Sequence, residues 1–256
     1  MVHQEIMKKY LLNFADKNYE LQQKLQIVST KDYFDEIISV SPDDIEPDFK
    51  EKNKAIFNFS KGSGYWLWKA YFISRSLDYI ANGDILFYVD SGNEFIRNPS
   101  EIFKLLDSQD IILFNNRDGH PTGDMWKNST WTKADCFNLM GCNDEKYKQG
   151  HQVDGAYILL KKTENSIKFV NEYLKWSCNK NVITDMDNVT GKNEDDFRDH
   201  RHDQSILSLL AIKYGLTLCE APCQHANHVT DRPYNQILNH FRKNISWSII
   251  YNRIEK

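Results

Sequence analysis

Apolar residues recur along this chain in two rhythms. Six short runs are dense in β-branched and aromatic residues: Tyr10–Ala15 (YLLNFA), Phe34–Val40 (FDEIISV), Ala55–Phe59 (AIFNF), Asp84–Val89 (DILFYV), Asp110–Phe114 (DIILF) and Gly155–Leu160 (GAYILL). Their length and composition predict strands. Several are apolar at consecutive positions, the pattern of a central sheet covered on both faces. Between them the apolar spacing lengthens to three and four. Tyr19–Val28 is amphipathic, and Trp68–Ala81 sets Ala70, Ile73, Leu77 and Ile80 on one stripe. Pro99 with Glu101 opens a helix, Thr163 is placed to cap another, and Asp203–Leu216 carries Asp203 where an N-cap belongs and Gly215 where a helix stops. Strands alternating with helices predict an α/β fold with a mostly parallel sheet, in which ligands bind beyond the carboxyl ends of the strands. The polar, acidic stretch Asn179–His202 reads as a surface excursion. No repeat, low-complexity tract or linker divides residues 1–256, so a single domain is expected.

Composition narrows the partners. Of the 256 residues 41% are apolar and 13% aromatic, enough for a sizeable core, and the formal charge of −4 argues against a phosphate-backbone binder. Nucleic acid is not an expected partner. Five cysteines, an odd number, with no apolar leader at the start, point to reduced thiols and a cytoplasmic location. In such a compartment the sequons at Asn58, Asn128, Asn188 and Asn244 carry no meaning. No window approaches the ~18 apolar residues of a membrane span. The apolar and basic tail, residues 245–256, is expected to dock on the domain's own core, with peripheral contact to a membrane surface as the alternative.

The chemistry concentrates at a few places. In GDILFYVDSGNEF the predicted strand breaks off at Asp90, Ser91 and Gly92, with Glu94 close behind. A carboxylate at the carboxyl end of a central strand lies where ligands bind, a glycine there lets backbone turn or ligand approach, and hard oxygens hold Mg²⁺ or Mn²⁺ against a diphosphate. The plain alternative is a turn cap. Upstream, KGSGYWLWKAYFI joins two glycines, three large aromatics and Lys69 at a helix start, where an ammonium and the helix terminus both favour phosphate oxygens; the alternative is an exposed lysine. HRHDQS offers Asp203 either as a cap or as a base or positioning group for a hydroxyl. His200 and His202 alternate as extended residues do, so one at most is expected in a site. Cys219, Cys223, His225 and His228 lie within ten residues, but the spacing is cramped for structural zinc.

Three of these blocks, in order, resemble the signatures of a group of bacterial and viral glycosyltransferases. KGSGYWLWKAYFI resembles their G-x-GYW-x-WKPY, GDILFYVDSGNEF their GDilvYlDaG, and HRHDQSILSLLAIKYGL their HRhDQSvlsll helix. The resemblance implies the GT-A fold, a Rossmann-like sheet flanked by helices, with a nucleotide-binding half over about residues 1–115 and an acceptor-binding half over about 116–256. It implies transfer of a sugar from a nucleotide diphosphate donor, a UDP-sugar above all, to a hydroxyl of a glycan acceptor, with Mn²⁺ or Mg²⁺. Phe14, Ala15 and Asp16 would then meet the base and ribose, and Gly62, Gly64 and Tyr65 would shape a loop over the nucleotide. Lys69, Asp90, Ser91 and Gly92 would face the diphosphate, and Asp203 and Gln204 the reacting sugar. Asp154 would border the donor sugar as a second catalytic carboxylate, and Trp131–Asp135 would line the acceptor groove. Gly92 stands where those proteins usually have a second aspartate. Metal ligation is therefore expected from Asp90 with Glu94 or a late histidine, His225 ahead of His228. Two other functions remain open: a nucleotidyltransferase, against which the glycine-free segment after the first strand argues, and a glycan- or nucleotide-binding module without turnover.

Overall fold

A computed structural model of the chain describes residues 7–30, 32–116, 124–241 and 250. The tail expected to dock or touch a membrane lies outside the described residues, except for Ile250, which is buried. Five strands form the central sheet: β1 (Lys9–Phe14), β2 (Glu36–Val40), β3 (Ile85–Val89), β5 (Ile111–Asn115) and β6 (Val153–Lys161). Their order is β2-β1-β3-β6-β5. β1 pairs in parallel with β2 and β3, while β6 is antiparallel to both β3 and β5, so four strands run one way and β6 runs against them. A strand from the second half of the chain is thus inserted between strands of the first. A separate antiparallel pair joins β4 (Asn93–Phe95) to β7 (Leu238–His240).

The four longest helices among the described residues are α1 (Glu20–Thr30), α2 (Leu67–Tyr79), α3 (Glu164–Ser177) and α4 (Asp203–Lys213). Strand alternation distributes β3 between two cores. Leu86 and Tyr88 join Ala70, Ile73, Phe169, Ile206 and Leu210 under the α2, α3 and α4 layer. Ile85, Phe87 and Val89 face the other way, toward Phe95, Phe103 and Leu238. Caps follow the residue types. Thr163 accepts from Ser166 N–H while the Ser166 hydroxyl accepts from Thr163 N–H, which starts α3. Gly215, at φ +64°, ends α4 with bonds from Gly215 N to Ile212 O and from Leu216 N to Ala211 O.

Two local expectations fail. Ala55–Phe59 is not a strand: Lys54–Phe57 is a helical turn, with Ile56 N and Phe57 N both donating to Asn53 O. Within it only Ile56 is buried, and so short a run does not distinguish one turn of helix from a strand. Asp203 is not a cap either. His202 occupies the N-cap position at φ 54°, ψ −119°, with no side-chain cap bond, and the Asp203 carboxylate, one residue inside the helix, is paired with Lys69 of α2.

Candidate active site

The carboxyl edge of the sheet opens into a cleft of about 650 Å³. The order of strands lays its wall out as a line. Phe14–Asp16 leave β1, Asp90–Gly92 leave β3, Asp154 and Gly155 begin the antiparallel β6, and Asn116 follows β5; all line the cleft. Three strand spacings separate β1 from β5, about 14 Å. Helix starts close the other side with Trp66, Trp68 and Lys69 from the approach to α2, and His200–Gln204 from the approach to α4. Of the residues singled out above, Phe14, Ala15, Asp16, Lys69, Asp90, Ser91, Gly92, Asp154, Asp203, Gln204 and His225 meet in this one cavity.

At the centre stands Lys69, buried, with its ammonium 2.8 Å from Asp203 Oδ2, 3.5 Å from Asp90 Oδ1 and donating to Gly155 O at 2.9 Å. An ammonium has three donors and no more. One is given to Gly155 O, and the ammonium sits as an ion pair between two carboxylates, so Lys69 organises Asp203 and Asp90. Burial alone would depress its pKa; the charges of Asp203 and Asp90 outweigh that and hold it above the ordinary lysine value. Tyr88 O–H also donates to Asp90 Oδ1. The Asp90 carbonyl is gripped by Gln26 Nε2 and Asn93 Nδ2, each at 2.9 Å. Gln26 is held by Asn13, which sits fully buried and serves this network. Asp90 itself is well exposed on its other side, with 38% of its side chain accessible.

Ser91 lines the cleft, but its hydroxyl bridges back to Phe14 O and so fastens β3 to β1. Gln204 is held by Gln152, which is in turn bonded to Asn128 and Thr132. Asp154 is partly buried and accepts from Ala156 N at 3.0 Å. Burial raises its carboxyl to about 6, helped by the charge of Asp90 and opposed by that N–H bond, His225 and Lys69. That value is suited to proton transfer near neutrality.

The glycine-rich block folds in an unusual way. Gly62, Ser63, Gly64, Tyr65 and Trp66 all have φ between 52° and 93°, one turn of left-handed helix closed by Tyr65 N to Lys61 O and Trp66 N to Gly62 O. Three non-glycine residues are strained there, at roughly 1–2 kcal/mol each. Side chains hold the turn. Ser63 Oγ donates to Asp16 Oδ2, and Asp185 binds Lys61 at 2.7 Å, Tyr65 O–H at 3.2 Å and His202 Nε2 at 2.9 Å. Consequently Gly62, Ser63 and Trp66 line the cleft, while Gly64 and Tyr65 are buried behind it and do not. Trp68 stacks on Phe14 with ring centroids 3.6 Å apart.

Other expectations are corrected by the tertiary contacts. His200 and His202 do not point apart: the non-extended backbone at His202 brings their rings to 5.1 Å, and both line the cleft. Burial lowers the pKa of each. Residues 179–202 are more than a surface excursion, since Val182, Ile183 and Thr184 are fully buried and Asp185 is the anchor just described. Asp135 lies in the core, taking bonds from Val189 N and Thr190 N, and does not reach the groove. Glu94 is buried in β4 outside the cleft lining. The five cysteines are unpaired thiols, and among the described residues no three of His, Cys, Asp and Glu are grouped to hold a metal ion.

His240 escaped the sequence reading. β7 pairs its Asn239 with Glu94 and its His240 with Asn93, and Phe241 N donates to Gly92 O at 2.9 Å. A Cβ on Gly92 would lie 3.1 Å from Phe241 O and 3.9 Å from the His240 ring. A second aspartate side chain would therefore start in tight contact with this returning segment. The His225 and His240 rings are 5.2 Å apart on the same wall. Only the same search for late histidines, extended to NHF, would have found it.

No protein-family model matches the chain, and neither does any curated protein. Solved structures do. The glycosyltransferase GlyE of Streptococcus pneumoniae TIGR4 superposes over 97% of this chain and 60% of its own, with TM-score 0.51 and 13% identity. The chain has the GT-A fold. Mouse xyloside xylosyltransferase 1 aligns at TM-score 0.49 and 11% identity, over 93% of this chain and 99% of its own. The galactosyltransferase LgtC, solved with donor and acceptor sugar analogs, aligns at 0.48 and 12%, over 96% and 95%. The sheet order, the antiparallel β6 and the cleft at the carboxyl edge position the residues above. Among the described residues no helix is long and apolar enough to cross a membrane.

Proposed function

We propose that this protein is a glycosyltransferase that moves a sugar from a nucleotide diphosphate, UDP above all, to a hydroxyl of a glycan acceptor. The observation that carries the reading is Lys69 bridging Asp90 and Asp203 at the centre of one cleft on the sheet's carboxyl edge. The base and ribose would lie along Phe14, Ala15 and Asp16, and the diphosphate over Asp90.

The residues fit a cation brought in with the substrate. Among the described residues the cleft is lined by five aspartates, Asp16, Asp90, Asp154, Asp199 and Asp203, against Lys61, Lys69 and Arg201, and Lys69 is already engaged. A diphosphate entering such a wall needs added positive charge. Mg²⁺ and Mn²⁺ sites of this kind use one or two carboxylates plus phosphate oxygens and not a full protein cage. Asp90, with His225 or His240, would hold the ion, which would neutralise charge on the departing nucleotide. Asp154 is the base on this reading, because its carboxyl titrates near the working pH. Asp203, tied to Lys69, fixes the position of the reacting groups together with Gln204.

Calorimetry with UDP, with and without Mn²⁺, followed by a screen of nucleotide sugars for release of free nucleotide, tests this. Metal-dependent UDP binding and release from one donor are expected. Binding without release or transfer would mean a binding module, and absence of UDP binding would remove both readings.

A further inference from the structure

We propose that the β5–β6 end of the cleft contains an oxyanion subsite, so that the acceptor is an acidic sugar or glycan carrying a carboxylate or a phosphate ester. This rests on the glycosyltransferase reading. Arg201 lines the cleft and is partly buried. Its guanidinium carbon lies 5.3 Å from the centroid of Trp126 and 5.8 Å from that of Trp131, and these two indoles are 5.0 Å apart at 30°. A planar guanidinium set against aromatic rings is fixed in direction, and the rings do not occupy its five N–H donors. Among the described residues no carboxylate is ion-paired with Arg201, and none accepts a hydrogen bond from its side chain. The other two lysine or arginine side chains that line the cleft among the described residues are taken, Lys61 by Asp185 at 2.7 Å and Lys69 by Asp203. Trp126 adds a second unsatisfied group, because it is buried and among the described residues its indole N–H has no acceptor.

Position assigns this subsite to the acceptor. Trp126 O accepts from Gln152 N and Asn116 N donates to Gln152 O, which puts Trp126 where β5 ends and β6 begins. Phe14–Asp16 stand three strand spacings away, about 14 Å, and Asp90 and Asp154 lie between. An anion at Arg201 is therefore on the far side of the reacting centre from the nucleotide. Carboxylate and phosphate both match the guanidinium fork in bidentate geometry, and a sugar face beside them would meet the indoles.

The test uses the full chain saturated with UDP and Mn²⁺. Glucuronate, glucose 6-phosphate and glucose are titrated in turn, with tryptophan fluorescence as the readout. Wild type is expected to bind at least one of the two anions ~10-fold or more tighter than glucose, with the advantage shrinking as salt rises. Glucuronate ahead identifies a carboxylate, and glucose 6-phosphate ahead identifies a phosphate ester. The preference should vanish in R201Q and survive in part in R201K. Equal binding of the three sugars to wild type, or a preference undiminished in R201Q, overturns the proposal, and so does displacement of the bound anion by excess UDP, which would place Arg201 in the donor site. The wild-type comparison decides even if a variant fails to fold. Failure to bind UDP at all would instead count against the glycosyltransferase reading, and the two failures are seen in separate titrations.

Discussion

Lys69 Nζ lies 2.8 Å from Asp203 Oδ2, with 3% and 7% of the two side chains accessible. The pair joins the start of α2 to the start of α4, and Asp90 completes it from the end of β3 at 3.5 Å. Removing one partner of a buried pair strands the other charge. Lys69→Met is expected to cost about 3–5 kcal/mol in urea unfolding, and Lys69→Met combined with Asp203→Asn to recover part of that loss. Additive costs in the double variant would mean that the pair is not coupled.

Asp90 carries the proposed cation. Without UDP, the protein should bind Mn²⁺ weakly, because the chain supplies few ligands of its own; with UDP, binding should tighten. Asp90→Asn should weaken Mn²⁺·UDP binding on the order of 100-fold while leaving the fold intact. Comparing His225→Ala with His240→Ala by the same calorimetry identifies which ring participates. Tight Mn²⁺ binding in the absence of nucleotide would contradict the substrate-borne site.

The left-handed turn makes a sharp prediction about glycine. Gly64 has φ +93°, and a Cβ there would lie 2.6 Å from Phe57 Cδ1 and 3.2 Å from Phe57 Cα. Gly64→Ala should therefore destabilise by about 2–4 kcal/mol, strain and overpacking together. Gly83 is the control: φ is +89° but nothing lies within 4 Å of its added Cβ. Gly83→Ala should cost only the strain, about 1–2 kcal/mol. Equal costs in thermal melts would mean that Phe57 yields freely.

Asp154 ties stability to pH. Its carboxyl titrates at about 6 in the folded protein, against 3.8 for the ordinary group. The folded state thus holds this proton more tightly than the unfolded state. That favours folding at low pH, and the contribution is lost as pH rises through about 6. Asp154→Asn should melt ~2–4 °C above wild type at pH 7.5 in chelator, reflecting roughly 1 kcal/mol after allowance for partial exposure, and the gain should disappear by pH 4. A difference that stays constant across that range would show that ionisation of Asp154 is not the cause. Turnover of wild type should rise with pH as this group ionises, with a midpoint near 6.

The chain alone determined a good deal. Five of the six predicted strands, the four long helices, the Thr163 and Gly215 signals and the place of Asp90 at the end of β3 follow from local periodicity, capping chemistry and the rule that parallel strands present their carboxyl ends to ligands. Those are short-range properties, written in neighbouring side chains. Tertiary structure decided the partners. It turned Asp203 from a helix cap into the counter-ion of Lys69, and brought His240 beside Gly92 through the β4–β7 pairing. It made Asp185 the anchor of a strained turn, and set Arg201 on two indoles with no acid among the described residues. Such pairings depend on which distant segments the folded sheet brings together and which charges burial forces to find partners, and no local pattern along a chain carries that information.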